Sequence, residues 1–253
     1  MTITVVIPTL NEEAVLPRTL SQAASLGFDE LIVVDGGSHD RTREIVQAFP
    51  SAPAISLQPS TISQQRSILS PQSSALSPVS LLTAPPGRAN QMNAGAAASE
   101  GTVLLFLHAD TSLPSDARQA VERALEDPAC VGGRFDVRFE RDSGPGWLIS
   151  RMMNLRSRWT GIATGDQAIF VRRSLFEQLG GYSDLPVMED VDFSRRLKRT
   201  GRLSALRSKV ITSYRRWGTR GPLRTILLMW VLRFLYWIGI SPHRITRLYG
   251  SVR

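Results

Sequence analysis

The tightest constraint on this chain is Val103-Leu104-Leu105-Phe106-Leu107, an unbroken apolar run opened by Gly101 and closed by His108-Ala109-Asp110 and Pro114. A run this short and this uniform reads as a strand buried on both faces, as in a parallel sheet. A buried helical segment would give the same run, but the length and the flanking breakers favour the strand. His108 and Asp110 stand two residues apart at its C-terminal end, so the strand period sends both side chains to one side. In open α/β sheets ligands bind beyond the carboxyl ends of the strands. An imidazole and a carboxylate at that end are therefore candidate site residues, with a capping Asp at a strand-to-helix turn as the plain alternative.

Two more buried runs precede it. Thr2–Pro8 forms a first strand, followed by Asn11-Glu12-Glu13 as cap and acidic turn and by a helix from Pro17 to Leu26, stopped at Gly27. Leu31-Ile32-Val33-Val34 is the second, ending at Asp35-Gly36-Gly37-Ser38-His39-Asp40 and leading into a helix Arg41–Phe49 capped by Asp40. Gly87–Ser99 is an Ala-rich helix able to pack close to a strand, and Ser115–Leu125 is another helix. Three strand–helix alternations in the first half predict a parallel, doubly wound sheet. Residues 51–82 interrupt this alternation with 10 Ser, 4 Pro and Arg66 as the only charge. They read as a flexible insertion, although Val79–Thr83 is strand-like.

The second half is more mixed. Val131–Phe139 alternates apolar residues with Arg134, Asp136 and Arg138, which predicts a half-exposed strand. Trp147–Trp159 places Leu148, Met152, Leu155 and Trp159 at helical spacing, which predicts a core-facing stripe. Gln167–Val171 is a short strand, Leu175–Leu179 a short helix, and Met188-Glu189-Asp190 opens a helix with Phe193 and Leu197 inward and Arg195, Arg196, Lys198 and Arg199 outward. Ala205–Tyr214 is a last strand.

Charge divides the chain. Residues 1–130 hold 7 Lys/Arg and 13 Asp/Glu, a balance of −6, and residues 131–253 hold 23 and 9, a balance of +14; the two sum to the net +8. A basic half implies an anionic partner, either phosphates or an anionic membrane surface. Nucleic acid is set aside, because no binding motif and no aromatic interleaving accompany the charge. The one cysteine, Cys130, precludes an internal disulfide and fits a reducing compartment. The chain starts directly into its first strand with no basic segment or cleavage site, so no signal peptide is expected.

Four strand ends carry polar clusters: Thr9-Asn11-Glu12, Asp35 to Asp40, His108-Ala109-Asp110 and Glu189-Asp190. Each alone is weak, because strand-to-helix turns favour such residues for backbone reasons. Their joint order is specific. With Asn93-Ala94-Gly95, Gly165-Asp166-Gln167 and Glu189-Asp190-Val191-Asp192, the chain resembles the family 2 nucleotide-sugar glycosyltransferases over nearly its whole length apart from 51–82. The resemblance implies an α/β fold of GT-A type, with a Rossmann-like, mostly parallel sheet flanked by helices and a C-terminal apolar helical extension. The implied division is a catalytic domain over 1–214 and a basic, apolar extension over 215–253.

The resemblance also implies roles. Asp35 reads the nucleobase or ribose of a nucleoside-diphosphate sugar, with Pro8, Thr9 and Glu12 in the same pocket. Asp110 matches the last residue of the DxD motif and holds Mn²⁺ or Mg²⁺ on the donor diphosphate, in keeping with the hard oxygen ligands these ions take. Asp190 matches the base of an inverting transfer to a hydroxyl or phosphate acceptor, lipid-linked ones included, and Glu189 is the other candidate. Two positions depart from the pattern: His108 replaces the first Asp of DxD, and Gly36 replaces the second Asp of a DDGS stretch. A neutral imidazole can hydrogen-bond a ribose or ligate a metal but adds no negative charge. These departures keep open a second reading, a nucleotide-sugar-binding protein without catalysis. Arg88, Arg215 and Arg216 are candidates to clamp donor phosphates, since a guanidinium matches phosphate geometry.

Leu223–Ile240 spans 18 residues, about 27 Å if helical, against a hydrocarbon core of about 30 Å. Arg233 interrupts it midway, at a cost of about 2.5–3.5 kcal/mol at a bilayer centre. Three placements follow: lying in the interface of an anionic membrane, packed on the catalytic domain or a second copy, or spanning. The first is preferred, which makes the expected location cytoplasmic and peripheral on the inner face of the plasma membrane.

Overall fold

Strand β1 (Ile3–Thr9) is buried at every position and sends Ile3, Val5 and Ile7 to one face of the sheet and Val6 to the other. The computed structural model describes residues 1–50, 76–141, 143–215 and 221–250. Around β1 are β2 (Glu30–Asp35), β3 (Val79–Thr83) and β4 (Val103–Phe106), all parallel to it. Their crossovers carry helices α1 (Leu16–Ala24), α2 (Thr42–Gln47) and α3 (Arg88–Ala98). Then follow the two-residue β5 (Thr111–Ser112), α4 (Ala117–Leu125), β6 (Cys130–Phe139), α5 (Pro145–Thr160), β7 (Ile169–Arg172), α6 (Arg173–Gln178), α7 (Glu189–Leu197), β8 (Arg202–Thr212), α8 (Pro222–Trp237) and α9 (Pro242–Gly250). The sheet runs β3-β2-β1-β4-β7-β6-β8-β5. β7 is antiparallel to both β4 and β6, so the expected change from a parallel to a mixed sheet falls at the β4–β7 boundary.

Register places the site. Thr9 lies beside Asp35, and Asp35 beside Thr83, so three strand ends share one edge. β4 stops level with Val6, and its antiparallel neighbour β7 begins opposite Phe106 at Ile169. The turn before β7, Gly165–Gln167, is thereby brought to the same edge. Gly95 lets α3 lie close to the sheet, since a Cβ there would overlap Val6 Cγ1. Helix α7 is seated by an aromatic cluster: Phe106 to Tyr182 at 5.0 Å, Tyr182 to Phe193 at 4.5 Å and Phe176 to Phe193 at 5.4 Å. Asn93 joins it to α3, its amide donating to Tyr182 O (2.8 Å) and accepting from Tyr182 N–H (2.8 Å).

Several expectations are corrected. β6 is buried on both faces except at Arg138. Its charges are not solvated: Arg134 donates to Asp136 Oδ1 (2.5 Å) and Arg158 to Asp136 Oδ2 (2.7 Å). Where β7 no longer pairs, the Asn154 amide of α5 satisfies both backbone groups of Val137 at 2.9 Å. Helix α5 is turned the other way from the prediction. Leu148, Met152, Leu155 and Trp159 are exposed, while Gly146, Ile149, Ser150 and Ser157 are buried. Arg196 is not outward-facing either. It binds Asp192 (2.9 Å) and the carbonyls of Leu179 and Gly181 (2.8 Å each).

The C-terminal end of the predicted insertion belongs to the sheet: Ser77 N–H donates to Ala24 O (3.1 Å) and β3 follows. Residues 51–75 and Arg216 lie outside the described residues. Among the described residues no helix is long and apolar enough to cross a membrane. Helix α8 instead has two sides: Thr225 and Leu232 are buried, whereas Leu227, Trp230, Val231, Phe234, Trp237 and Ile238 are exposed. It docks on α7, with Tyr236 Oη donating to Asp192 (3.4 Å) and Arg195 5.6 Å over the Tyr236 ring.

Candidate active site

The turns after β1 and β2 build the first part of the site by lacing into each other. Asn11, at φ 55°, takes His39 N–H on its side chain (2.9 Å) and donates its own N–H to Ser38 Oγ (2.9 Å). Glu13 N–H donates to Asp40 (3.1 Å), and Asp40 also takes Thr42 N–H (3.0 Å), the predicted cap of α2. Asp35 is fully buried and accepts from Gly37 N–H (3.1 Å), Ser38 N–H (3.0 Å) and Ser38 Oγ (2.5 Å). Pro8 and Thr9 are buried beside it. The Gln91 amide, which no motif in the sequence singles out, closes the strand ends by donating to Thr9 O and Val34 O at 2.7 Å each. That amide occupies the space beside Gly36, where a Cβ would sit 3.0 Å from Gln91 Cδ. A side chain at 36 would therefore need the Gln91 amide to give way by a few tenths of an ångström.

Glu12 and Asp110 form the second part. Burial raises the Glu12 carboxyl above its usual range, Asp110's charge adds to this, and Arg215 and Arg88 oppose it. Arg215 lies 3.6 Å from Glu12 Oε2, an atom that is buried without a hydrogen bond. Asp110 and His108 do not continue the strand alternation, because β4 ends at Phe106 and the chain turns, with Thr111 N–H donating to His108 O (3.1 Å).

The third part is a cavity of about 200 Å³ lined by His108, Asp166, Glu189, Asp190, Arg88, Arg156 and Arg233, with apolar walls from α5 and α8. Asp35, Thr9, Glu12 and Asp110 are not in its lining. His108 Nδ1 lies 3.2 Å from Asp166 Oδ1, and Gly165 leaves room for the ring, since a Cβ there would overlap it. Asp190 is held at the start of α7 by Gly165 N–H donating to Oδ2 (2.8 Å). Met188 before it adopts φ 67°, a left-handed conformation that costs a non-glycine residue energy and clusters at functional sites. Glu189 is only 7% exposed. Burial, then Asp190's charge, pushes its carboxyl up to about 7. Arg156 and Arg233 were not identified as site residues from the sequence. Arg233's interruption of an apolar helix was the readable signal; it marks the side facing these carboxylates.

Among the described residues no group of three or more His, Cys, Asp or Glu stands ready to hold a metal. The acidic pair Glu12–Asp110 still fits a divalent ion that shares its shell with a diphosphate, since such ions commonly take one or two carboxylates together with substrate phosphates and water.

A family model described as glycosyl transferase family 2 matches residues 4–59. The chain is 32% identical over 231 residues to the PGL/p-HBAD biosynthesis glycosyltransferase of Mycobacterium tuberculosis (strain ATCC 25618 / H37Rv), covering 85% of this chain and 77% of that protein. It is 28% identical over 223 residues to the probable glycosyltransferase YdaM of Bacillus subtilis (strain 168), covering 79% of this chain but 47%, about half, of that longer protein. Among solved structures it is similar to the mannosyltransferase PcManGT from Pyrobaculum calidifontis in complex with GDP-Man and Mn²⁺. The TM-score is 0.58 at 20% identity, over 91% of this chain and 60% of that one.

Proposed function

Because the chain belongs to the family 2 glycosyltransferases, we propose that it moves a sugar from a nucleoside-diphosphate donor to an acceptor oxygen with inversion at the anomeric carbon. The observation that carries this reading is Asp190, fixed by the Gly165 N–H and lining a cavity whose walls exclude Asp35, Thr9 and Asp110. The cavity and the β1–β2 edge adjoin through Arg88, which lines the cavity and acts on Glu12, and two adjoining spaces suit two substrates. The nucleoside would sit at the β1–β2 edge over the buried Pro8, Thr9 and Asp35, with Asp35 holding the Gly37–Ser38 turn beneath it, and Arg88 and Arg215 flank the diphosphate beside Glu12 and Asp110. The GDP-Man and Mn²⁺ of the Pyrobaculum neighbour support a donor of this class with a divalent ion, Mn²⁺ or Mg²⁺. Asp110 and Glu12 would hold that ion, which when bound offsets charge on the departing diphosphate. The buried, unbonded Glu12 Oε2 next to Asp110 is the local reason.

Asp190 accepts the proton of the acceptor hydroxyl as that oxygen attacks the anomeric carbon from the face opposite the leaving diphosphate. A second reading gives this task to Glu189, because a carboxyl raised to about 7 lies close to the working pH, where general bases are most effective. Asp190→Asn is expected to keep donor affinity and lower turnover at least ~100-fold, with Glu189→Gln costing less. The opposite order moves the base to Glu189. If both variants turn over normally, the inverting scheme fails, and if the unaltered protein binds donor without any turnover, the chain is a binding protein. Asp110→Asn should abolish the metal dependence of donor binding.

The exposed Trp230, Phe234 and Trp237 of α8, with exposed Arg224 and Arg244 nearby, support an anionic membrane surface as the place of work. Aromatic and basic side chains together suit a lipid interface.

A further inference from the structure

The cavity beside Asp190 holds an unsolved charge problem. Arg156 of α5 points into it, and its Nε and Nη2 are buried with no hydrogen-bond partner. Arg233 of α8 lines the same space and is close enough to act on Arg156. Buried donors without partners are rare, because each costs about 1–3 kcal/mol. Two guanidiniums facing one another are worse, since burial and repulsion add. Burial first, then Arg233, lowers the Arg156 guanidinium to about 10. Nearby carboxylates do not resolve this. Asp190 attracts both arginines and Asp166 attracts Arg233, yet neither carboxylate hydrogen-bonds the two orphan nitrogens of Arg156. An anion brought by a ligand would give both nitrogens acceptors and offset the charge of the two arginines.

The walls say what else that ligand carries. Met152 and Trp230 line the cavity and are also exposed, 44% and 64%, so they stand at its mouth. Ile149, Met153, Ile226 and Met229 continue the apolar lining. We propose that Arg156 and Arg233 form an oxyanion clamp for a phosphate group on the acceptor, whose apolar portion runs out between Met152 and Trp230. A phosphate monoester offers the double charge and the several acceptor oxygens that two forked guanidiniums match. The clamp adjoins the donor compartment: Asp35, Thr9 and Asp110 are absent from this lining, and Arg88 borders both. The assignment rests on the transferase reading only in calling the ligand an acceptor.

The test is calorimetric titration of the full chain with n-octyl phosphate, glycerol 3-phosphate and n-octanol, each below its aggregation limit. Octyl phosphate should bind, at least ~10-fold tighter than glycerol 3-phosphate. Arg156→Gln and Arg233→Gln should each weaken it at least ~10-fold, and Arg156→Lys should recover part of the loss. Octanol should be indifferent to all three changes. Equal affinity of octyl and glycerol phosphates overturns the apolar half of the assignment, and unchanged octyl phosphate affinity in both Gln variants overturns the clamp. Displacement of octyl phosphate by a nucleoside diphosphate at the same arginines also overturns it, by giving them to the donor. Should Arg156→Gln not fold, Arg233→Gln and Arg156→Lys make the same comparison. Titrating UDP- and GDP-sugars on the same samples separates the two readings. Normal donor binding with arginine-independent octyl phosphate sinks only the clamp, and arginine-dependent octyl phosphate with no donor binding sinks only the transferase.

Discussion

Glu189 offers the sharpest quantitative test of the site. Its carboxyl rises from 4.5 to about 7, chiefly through burial and secondarily through Asp190's charge. A raised acid stabilises the fold fully below its unfolded value and loses that contribution as pH climbs through its folded value. The window is therefore pH 4.5 to about 7. At about 1.36 kcal/mol per pH unit of separation, ionising Glu189 in place costs about 3 kcal/mol. Glu189→Gln keeps the shape and cannot ionise. Its melting temperature relative to the unaltered protein should therefore rise between pH 4.5 and pH 8 by about 6–12 °C, taking about 2–4 °C per kcal/mol for a chain of this size. Thermal melts of both proteins across that range measure it directly. Adding Asp190→Asn to both proteins should shrink the difference, because it removes the secondary cause. A melting difference that stays flat across the window would refute the argument, and with it the claim that Glu189 is partly protonated at neutral pH.

Gly95→Ala should destabilise by about 1–3 kcal/mol, because the new methyl overlaps Val6 Cγ1 in the sheet; a urea titration with unchanged stability would mean that α3 lies further from β1. Flotation with vesicles tests the membrane reading: the chain should rise with anionic vesicles and not with neutral ones, and Trp230→Ser with Trp237→Ser should abolish this. Equal flotation with both lipids would remove the role given to the basic half.

The parallel strands were legible because burial on both faces leaves no polar positions in Val5–Ile7, Leu31–Val34 or Val103–Phe106. The turns after them were legible because their Asn, Asp and Gly residues do local backbone work, as Asn11 and Asp40 do here. The same logic failed at β6. Alternation of Arg134 and Asp136 with apolar residues looks like a solvent-facing side, but the two charges neutralise each other internally and take Arg158 with them. It failed at α5 for the converse reason. The conspicuous apolar stripe faces outward, while the inward side carries small and polar residues that a hydrophobic pattern passes over. Arg156 and Arg233, two of the three arginines that line the cavity, escape a reading of the sequence for different reasons. Arg156 lies on the helix that was turned the wrong way, and Arg233 was weighed as a burden on a membrane helix instead of as a contributor to a polar site. Asp110 and Asp190 could be found because they belong to ordered motifs, yet that His108 lines the cavity and Asp110 does not depends on the turn after β4, which a run of apolar residues does not reveal.

The contact between Gly36 and the Gln91 amide has a consequence for how such a chain can vary. An amide that binds Thr9 O and Val34 O on two adjacent strands crowds the space a Cβ at 36 would enter. Introducing a side chain at 36 alone therefore requires the Gln91 amide to shift, which weakens its bonds to Thr9 O and Val34 O while leaving those carbonyls their other donors, Gly36 N–H and Thr9 Oγ1. Shortening Gln91 alone removes one donor from each of these carbonyls and leaves the space beside Gly36 unfilled. The two positions are therefore coupled, and a change at either one is felt at the other.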